Sequence, residues 1–208
     1  FITAYQNEAA DFHQIVADMA GISRTQAKTI NLGLFYGMGK AKLSKELGIS
    51  KDAAENLLGK YHNRVPFVKK LAEAVMSSAS KYGFIRTIKG RKCRFDMWEP
   101  ATFGMNKAMQ YEEAKAIYGN NIRRAFTYKA LNRLIQGSAA DQTKQAMIEC
   151  YKQGFKPMLQ IHDELCFSIN EESDIVKVKE IMENAIEGLK VPSKVDCAIG
   201  SSWGQAKE

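Results

Sequence analysis

Residues 159–169 read Leu159-Gln160-Ile161-His162-Asp163-Glu164-Leu165-Cys166-Phe167-Ser168-Ile169. In one uninterrupted strand, Leu159, Ile161, Leu165, Phe167 and Ile169 would share an apolar face with Asp163 in the middle of it. A bare carboxylate on such a face is costly. Two arrangements relieve it: the chain turns at His162-Asp163 to form a hairpin, or a metal ion or cation neutralises the carboxylate. Both can hold together. Adjacent carboxylates at a strand tip suit a hard cation such as Mg²⁺, which takes few protein ligands and accepts the rest from phosphates and water. That is a phosphoryl-transfer arrangement. The competing reading is a surface hairpin whose turn happens to be acidic.

Working outward, a long helical pattern from about Ile122 to Tyr151, weakened at Gly137 and closed by Gly154, leads into this segment. A helix over roughly Glu172–Leu189 and a final strand near Lys194–Ile199 follow it. Upstream, Phe84–Phe95 reads as a hairpin, with Lys89-Gly90 between runs of β-formers. Asp96–Asn120 is ambiguous. Before it the pattern is helical: Ser23-Arg24-Thr25-Gln26 has the form of a capping box for a helix ending at Gly37–Gly39. Lys40–Leu47 is closed by Gly48, Ser50 caps a helix to about Tyr61, and Pro66 starts one running to Gly83.

Charge singles out the same helical region. Arg24–Arg94 carries sixteen Lys and Arg against four Asp and Glu, a net +12 within a chain whose total is +7. Such a block suits a polyanion, although solvated lysines on helix faces give the same count. On the helix after Ser23, Arg24, Lys28, Leu32 and Tyr36 recur every four residues and drift only about 40° per step, with Asn31 and Phe35 among them. A guanidinium and an ammonium one turn apart suit nucleotide phosphates, and an aromatic ring further along can stack on a base. An amphipathic helix with apolar core positions and solvated cations is the alternative.

Composition bounds the class. The 208 residues, 45% hydrophobic and 25% charged with four prolines, match a globular protein with one core or two small domains. No apolar run approaches the roughly 20 residues a transmembrane helix needs. Cys93, Cys150, Cys166 and Cys197 show no metal-like spacing and read as reduced thiols of a cytosolic protein. The opening Phe1-Ile2-Thr3 has no signal-peptide pattern, and the absence of an initiator Met leads us to expect further chain upstream.

Taken together, these motifs resemble the family A DNA polymerases, the group of bacterial DNA polymerase I and many phage replicative enzymes. Arg24-x-x-x-Lys28-x-x-Asn31-x-Gly33-x-x-Tyr36-Gly37 is similar to the family's motif B, and Gln160-x-His162-Asp163-Glu164 to its motif C. Asn132-x-x-x-Gln136-Gly137-Ser138-Ala139-Ala140-Asp141 resembles its palm helix, Asp11-x-His13 the segment before motif B, and Ser202-Trp203-Gly204-Gln205 the family's C-terminus. The resemblance implies an α+β chain, with helical fingers over 1–120 and the C-terminal part of an antiparallel-sheet palm over 121–208, including a metal-binding hairpin over 158–169. It also implies a template-directed DNA polymerase in a bacterial cell or phage-infected bacterium, with primer-template DNA and deoxynucleoside triphosphates as partners and no membrane. His13, Arg24 and Lys28 would grip the triphosphate, with Lys28 a proton donor to pyrophosphate, Leu32 beside the sugar and Tyr36 at the templating base pair. Asp163 would ligate Mg²⁺ in a two-ion site with Glu164 auxiliary, while Tyr128, Asn132, Gln136, Gln160 and His162 would contact DNA.

Three departures accompany the resemblance. The family's other essential carboxylate belongs to an upstream Asp-x-x-x-x-Glu segment, motif A, so the chain by itself is expected to be inactive and to need an upstream polymerase segment with that motif, a thumb and possibly an exonuclease. Tyr128 stands where bacterial members tend to have Arg, a variation that suits a phage enzyme. Leu32 stands where the family usually has Phe or Tyr. Alternatives are a single-subunit RNA polymerase, whose motifs differ at Asn31-Leu32-Gly33 and at Glu164; a non-catalytic DNA-binding or processivity module; and a Cys/His hydrolase built on His162 and Cys166, for which no oxyanion loop is evident. The Leu32 departure predicts poor acceptance of dideoxynucleotides. A primer-extension ladder from the assembled enzyme checks this, and efficient termination refutes it.

Overall fold

The computed structural model describes residues 2, 11–35, 38–102, 104 and 107–207. It is an α+β chain that divides into two compact units, one over Ala10–Gly137 and the other chiefly over Ser138–Glu208. The division falls within one helix.

The first unit opens with four helices whose ends are set by local chemistry. Asp11 caps α1 (Phe12–Ala20) through its Oδ1, which accepts from the backbone N–H groups of His13 and Gln14 at 2.9 and 3.1 Å. The capping box before α2 (Arg24–Phe35) is complete in both directions: Gln26 N–H donates to Ser23 Oγ at 3.2 Å, and Ser23 N–H to Gln26 Oε1 at 3.1 Å. Gly48 closes α3 (Lys40–Leu47), and Ser50 caps α4 (Lys51–Arg64). α1 packs on α2 and α4, α2 on α3, and α3 on α4. Val16, Ala27, Ile30, Leu43, Ala54, Tyr61 and Val65 are buried here, with each large side chain contributing roughly 1.5–3 kcal/mol of burial.

Helix α5 (Pro66–Tyr82) starts on proline and ends at Gly83, whose φ of +75° only glycine adopts freely. A side chain there would also meet the Arg124 guanidinium at 2.6 Å. β1 (Phe84–Arg86) and β2 (Lys92–Arg94) pair antiparallel, with Phe84 opposite Arg94, as the Lys-Gly signal predicts. The ambiguous stretch resolves into β3 (Trp98–Pro100) and α6 (Tyr111–Tyr118), and β3 pairs antiparallel with β4 (Ile122–Arg124).

The helix expected from about Ile122 begins only at Ala130. Ile122–Lys129 is not helical: β4 and a 3₁₀ turn (Thr127–Lys129) precede α7, which runs only over Ala130–Lys152. The ladder to β3 claims Ile122–Arg124, and Phe126 sits at φ +61°, outside helical space. Tertiary pairing overrides a local helical pattern.

In the second unit, β5 (Pro157–Ile161) and β6 (Glu164–Phe167) form the hairpin, Ile161 opposite Glu164, so the chain turns at His162-Asp163. The last helix, α8, spans Ser173–Glu183 and stops at Asn184, short of the expected Leu189. Its last turn is tied down by the Asn184 amide, which donates to the Glu180 carbonyl at 2.8 Å. The strand expected near Lys194–Ile199 is absent among the described residues. A strand needs a partner ladder, and the backbone N–H of Val195 is taken instead by Glu183 Oε1 at 2.9 Å. Ser193 Oγ is bonded by the Gln142 amide of α7. All four cysteines are free thiols, and among the described residues no helix is long and apolar enough to cross a membrane.

Two helical glycines make a controlled test of packing. Gly137, inside α7, lies under the β1–β2 turn: a Cβ there would sit 2.8 Å from Thr87 Cγ2, and Arg91 donates to the Gly137 carbonyl at 3.0 Å. Gly59, inside α4, has open space where a Cβ would go. Gly59→Ala is expected to stabilise by up to about 1 kcal/mol through helix propensity. Gly137→Ala is expected to destabilise by about 1–3 kcal/mol, because the hairpin must shift. Thermal denaturation of both variants reads the opposite signs.

Candidate functional site

The N-terminus of α2 and the first turn of α1 bring together residues eleven or more positions apart. Arg24, the first residue of α2, is held by Asp11: its Nε donates to Asp11 Oδ2 at 2.6 Å, while Asp11 Oδ1 caps α1. The Arg24 hydrogen bond, followed by the backbone N–H of Gln14, holds the Asp11 carboxyl below the usual carboxylate range. With Nε committed, the two Nη groups of Arg24 remain as the donors of the guanidinium fork. Lys28 is exposed one turn further along α2 and makes no ion pair among the described residues.

His13 completes this group. It is half-buried, and its Nδ1 lies 3.1 Å from the side-chain amide nitrogen of Asn31. Burial is the first cause that lowers its pKa from the ordinary value; Asp11 opposes this, and Arg24 and Lys28 add to it. Three donors from two helices therefore face one another closely enough to be electrostatically coupled. Leu32 stands on α2 with 43% of its surface exposed. Tyr36 and the adjoining Gly37 lie outside the described residues.

Asn31 and Tyr61 were not marked by sequence reasoning as site residues. Asn31 is completely buried, and the equally buried Tyr61 of α4 donates its hydroxyl to Asn31 Oδ1 at 2.7 Å. Burial pushes the Tyr61 phenol up to about 12, so it stays protonated. Asn31 did carry a signal, its place in the stretch that resembles motif B, but nothing along the sequence showed that it is buried between His13 and Tyr61, and Tyr61 carried none.

The acidic tip belongs to the second unit. His162 takes φ +54°, the left-handed region that a non-glycine residue enters at a cost of roughly 1 kcal/mol. Gln160 fastens the turn by donating its amide to the His162 carbonyl. Both residues and Asp163 are exposed. Glu164 is half-buried and its Oε1 is occupied, accepting from the Trp203 indole N–H at 2.7 Å and from the Cys166 thiol at 3.6 Å. Among the described residues no group of three or more His, Cys, Asp or Glu converges on a cation position. The tip offers oxygen donors of the hard kind, in the small number suited to an ion that takes its remaining ligands elsewhere.

The remaining candidates lie beside or on α7. Asn132 is half-buried, and its Nδ2 is buried without a hydrogen-bond partner among the described residues. Gln136 is exposed one turn along. Tyr128 is 54% exposed in the 3₁₀ turn, with the Lys129 ammonium 5.6 Å from its ring centroid. No anion or base contact follows from these three by themselves.

Comparison with known proteins places the chain in a family. It is 36% identical to a DNA-directed DNA polymerase of Pseudomonas phage M6, over 97% of this chain and 32% of that protein. It is 33% identical to DNA polymerase I of Caldicellulosiruptor bescii, over 99% of this chain and 24% of that protein. The chain thus spans about a third or less of the length of these relatives. Among solved structures, the POL domain of Pol1 from M. smegmatis, in complex with DNA primer-template and dNTP, superposes over 100% of this chain and 36% of that one. The TM-score is 0.77 and the identity 29%. The sequence model of DNA polymerase family A matches residues 1–205, and the chain belongs to that family.

Proposed function

We propose that this chain is the C-terminal portion of a template-directed DNA polymerase that adds deoxynucleotides to a primer 3′ end, with fingers over 1–120 and part of the palm over 121–208. The observation that carries the reading is the convergence of His13, Arg24 and Lys28 at the start of α2. Arg24 offers its Nη fork to a phosphate because Asp11 holds Nε, and Lys28, which makes no ion pair among the described residues, supplies an ammonium one turn along α2. Phosphoryl transfer needs this kind of positioned positive charge more than it needs covalent chemistry. Lys28 is also the group able to give a proton to departing pyrophosphate.

At the hairpin tip, exposed Asp163 would hold Mg²⁺, with Glu164 kept close by Trp203. When bound, Mg²⁺ supplies charge neutralisation on the triphosphate and lowers the pKa of the attacking primer hydroxyl. Among the described residues no third His, Cys, Asp or Glu joins Asp163 and Glu164 at the tip, and the second carboxylate is proposed to come from the family's upstream Asp-x-x-x-x-Glu segment. Tyr128, Asn132 and Gln136 around the start of α7 in the first unit, and Gln160 and His162 at the turn of the second unit's hairpin, are the proposed primer-template contacts; the exposure of Tyr128, Gln136, Gln160 and His162 supports this. The net +12 over Arg24–Arg94 supports a polyanionic partner. The phage relative and the Tyr128 variation together favour a phage replicative enzyme in an infected bacterium.

Primer extension with Mg²⁺ and deoxynucleoside triphosphates tests the reading. The chain is expected to be silent alone and active when mixed with a polypeptide carrying the upstream carboxylate segment. In that mixture Asp163→Ala is expected to abolish extension, and Lys28→Ala to lower kcat by on the order of 10²–10⁴. Retained activity in Asp163→Ala refutes the metal assignment. DNA binding with no extension in any mixture would favour a non-catalytic DNA-binding module.

A further inference from the structure

Asn31 has no exposed surface, and its amide is shared between two partners: the Tyr61 hydroxyl at 2.7 Å and His13 Nδ1 at 3.1 Å. Such a chain has two conceivable polarities, since an amide can be turned end for end and a phenol can donate or accept. Turning the amide would aim its NH₂ at the phenol oxygen. The buried Tyr61 O–H, which has no other acceptor among the described residues, would then be orphaned at a cost of about 1–3 kcal/mol. The opposite polarity satisfies every buried group. Tyr61 donates to Asn31 Oδ1, Asn31 Nδ2 donates to His13 Nδ1, and the ring proton of His13 resides on Nε2.

We propose that Asn31 and Tyr61 are positioning residues for the nucleotide site: together they lock His13 as the neutral tautomer with its proton on Nε2, a fixed hydrogen-bond donor to a phosphate oxygen and not a third cation beside Arg24 and Lys28. The assignment of the phosphate rests on the reading of this face as the nucleotide site. The lock itself rests only on the buried hydrogen bonds. An imidazolium would set an N–H on Nδ1 against the N–H of Asn31, so protonating His13 requires turning an amide that Tyr61 holds in place. Burial of the ring is the first cause that disfavours the cation; of the charged groups facing it, Asp11 at the cap of α1 favours the cation most, and Arg24 and Lys28 from α2 oppose it. Among the described residues no charged group acts on the ring from α4, where Tyr61 is met only through Asn31 and remains a phenol.

The test is ring-nitrogen NMR of the 208-residue chain, whose three histidines are His13, His62 and His162, followed by titration with a deoxynucleoside triphosphate. In the wild type the His13 signals are expected to be those of the Nε2–H tautomer throughout the neutral range, and to shift on addition of triphosphate. Asn31→Asp replaces the amide donor by an acceptor of nearly the same shape. It should move the proton to Nδ1, raise the pH at which the ring protonates, and weaken triphosphate binding on the alkaline side by on the order of tenfold. Tyr61→Phe removes only the hydroxyl, keeps the packing, and should yield a mixture of tautomers; unchanged His62 and His162 signals report that the fold is intact. An Nδ1–H tautomer in the wild type, or a tautomer unmoved by both substitutions, overturns the lock. The stated tautomer with no response to triphosphate overturns the nucleotide assignment of this face and leaves the lock established.

Discussion

A buried amide with no exposed surface governs the first unit. Asn31 cannot be hydrated, so each end of its side chain must meet a protein partner, and it finds one on α1 and one on α4. Apolar contacts among Val16, Ala27, Ile30, Leu43 and Ala54 supply most of the burial but tolerate small slides of one helix on another. The two hydrogen bonds are directional and do not. They fix the rotation of α2 relative to His13 and Tyr61, and hence the direction in which Arg24 and Lys28 point. The outer edge of the same arrangement is held by Asp11, which serves two helices at once, one carboxylate oxygen capping α1 and the other gripping Arg24.

A second constraint is the closeness of backbone to side chain around the β1–β2 hairpin. Gly83 and Gly137 are both positions where a methyl group would collide, the one with the Arg124 guanidinium and the other with Thr87. Arg124 in turn lies over the Trp98 ring at 4.6 Å and donates to the Phe95 carbonyl, and Arg133 lies over Phe95 at the same distance and donates to the Arg94 carbonyl. Two arginines of a strongly basic chain are thus part of its framework, stacked and hydrogen-bonded, and cannot be counted among the charges open to a polyanion. In the second unit, the C-terminal segment is held by single side-chain bonds, from Gln142 to Ser193, Glu183 to Val195 and Trp203 to Glu164. The last of these joins the acidic tip to the end of the chain.

Much of this was legible along the sequence, and for identifiable reasons. The capping box at Ser23, the cap at Ser50, the proline at the start of α5 and the glycines at 48 and 83 are local devices, acting within one helical turn. The hairpin at His162-Asp163 was one of the two arrangements that the cost of a carboxylate on an apolar strand face left open, again a local argument, and it is the one the fold adopts. The misread segments share the opposite property. Ile122–Arg124 looked helical alone and became a strand because β3, more than twenty residues earlier, was there to pair with it. Lys194–Ile199 looked like a strand and joins no ladder among the described residues.

The sequence by itself determined the family, the order of most helices and hairpins, and the residue types at the start of α2 and at the acidic turn, because each is written in contiguous residues or short spacings. Tertiary structure alone decided how those residues are held. Nothing in the spacing of Asp11, Asn31, Tyr61 and Trp203 indicates that Asp11 restrains Arg24, that Tyr61 reaches His13 through Asn31, or that Trp203 binds Glu164. The physical reason is one of range. Capping and turn formation are settled by the entropy and hydrogen bonding of neighbouring residues, whereas the satisfaction of a buried polar group depends on which distant side chain the folded core brings within hydrogen-bonding distance.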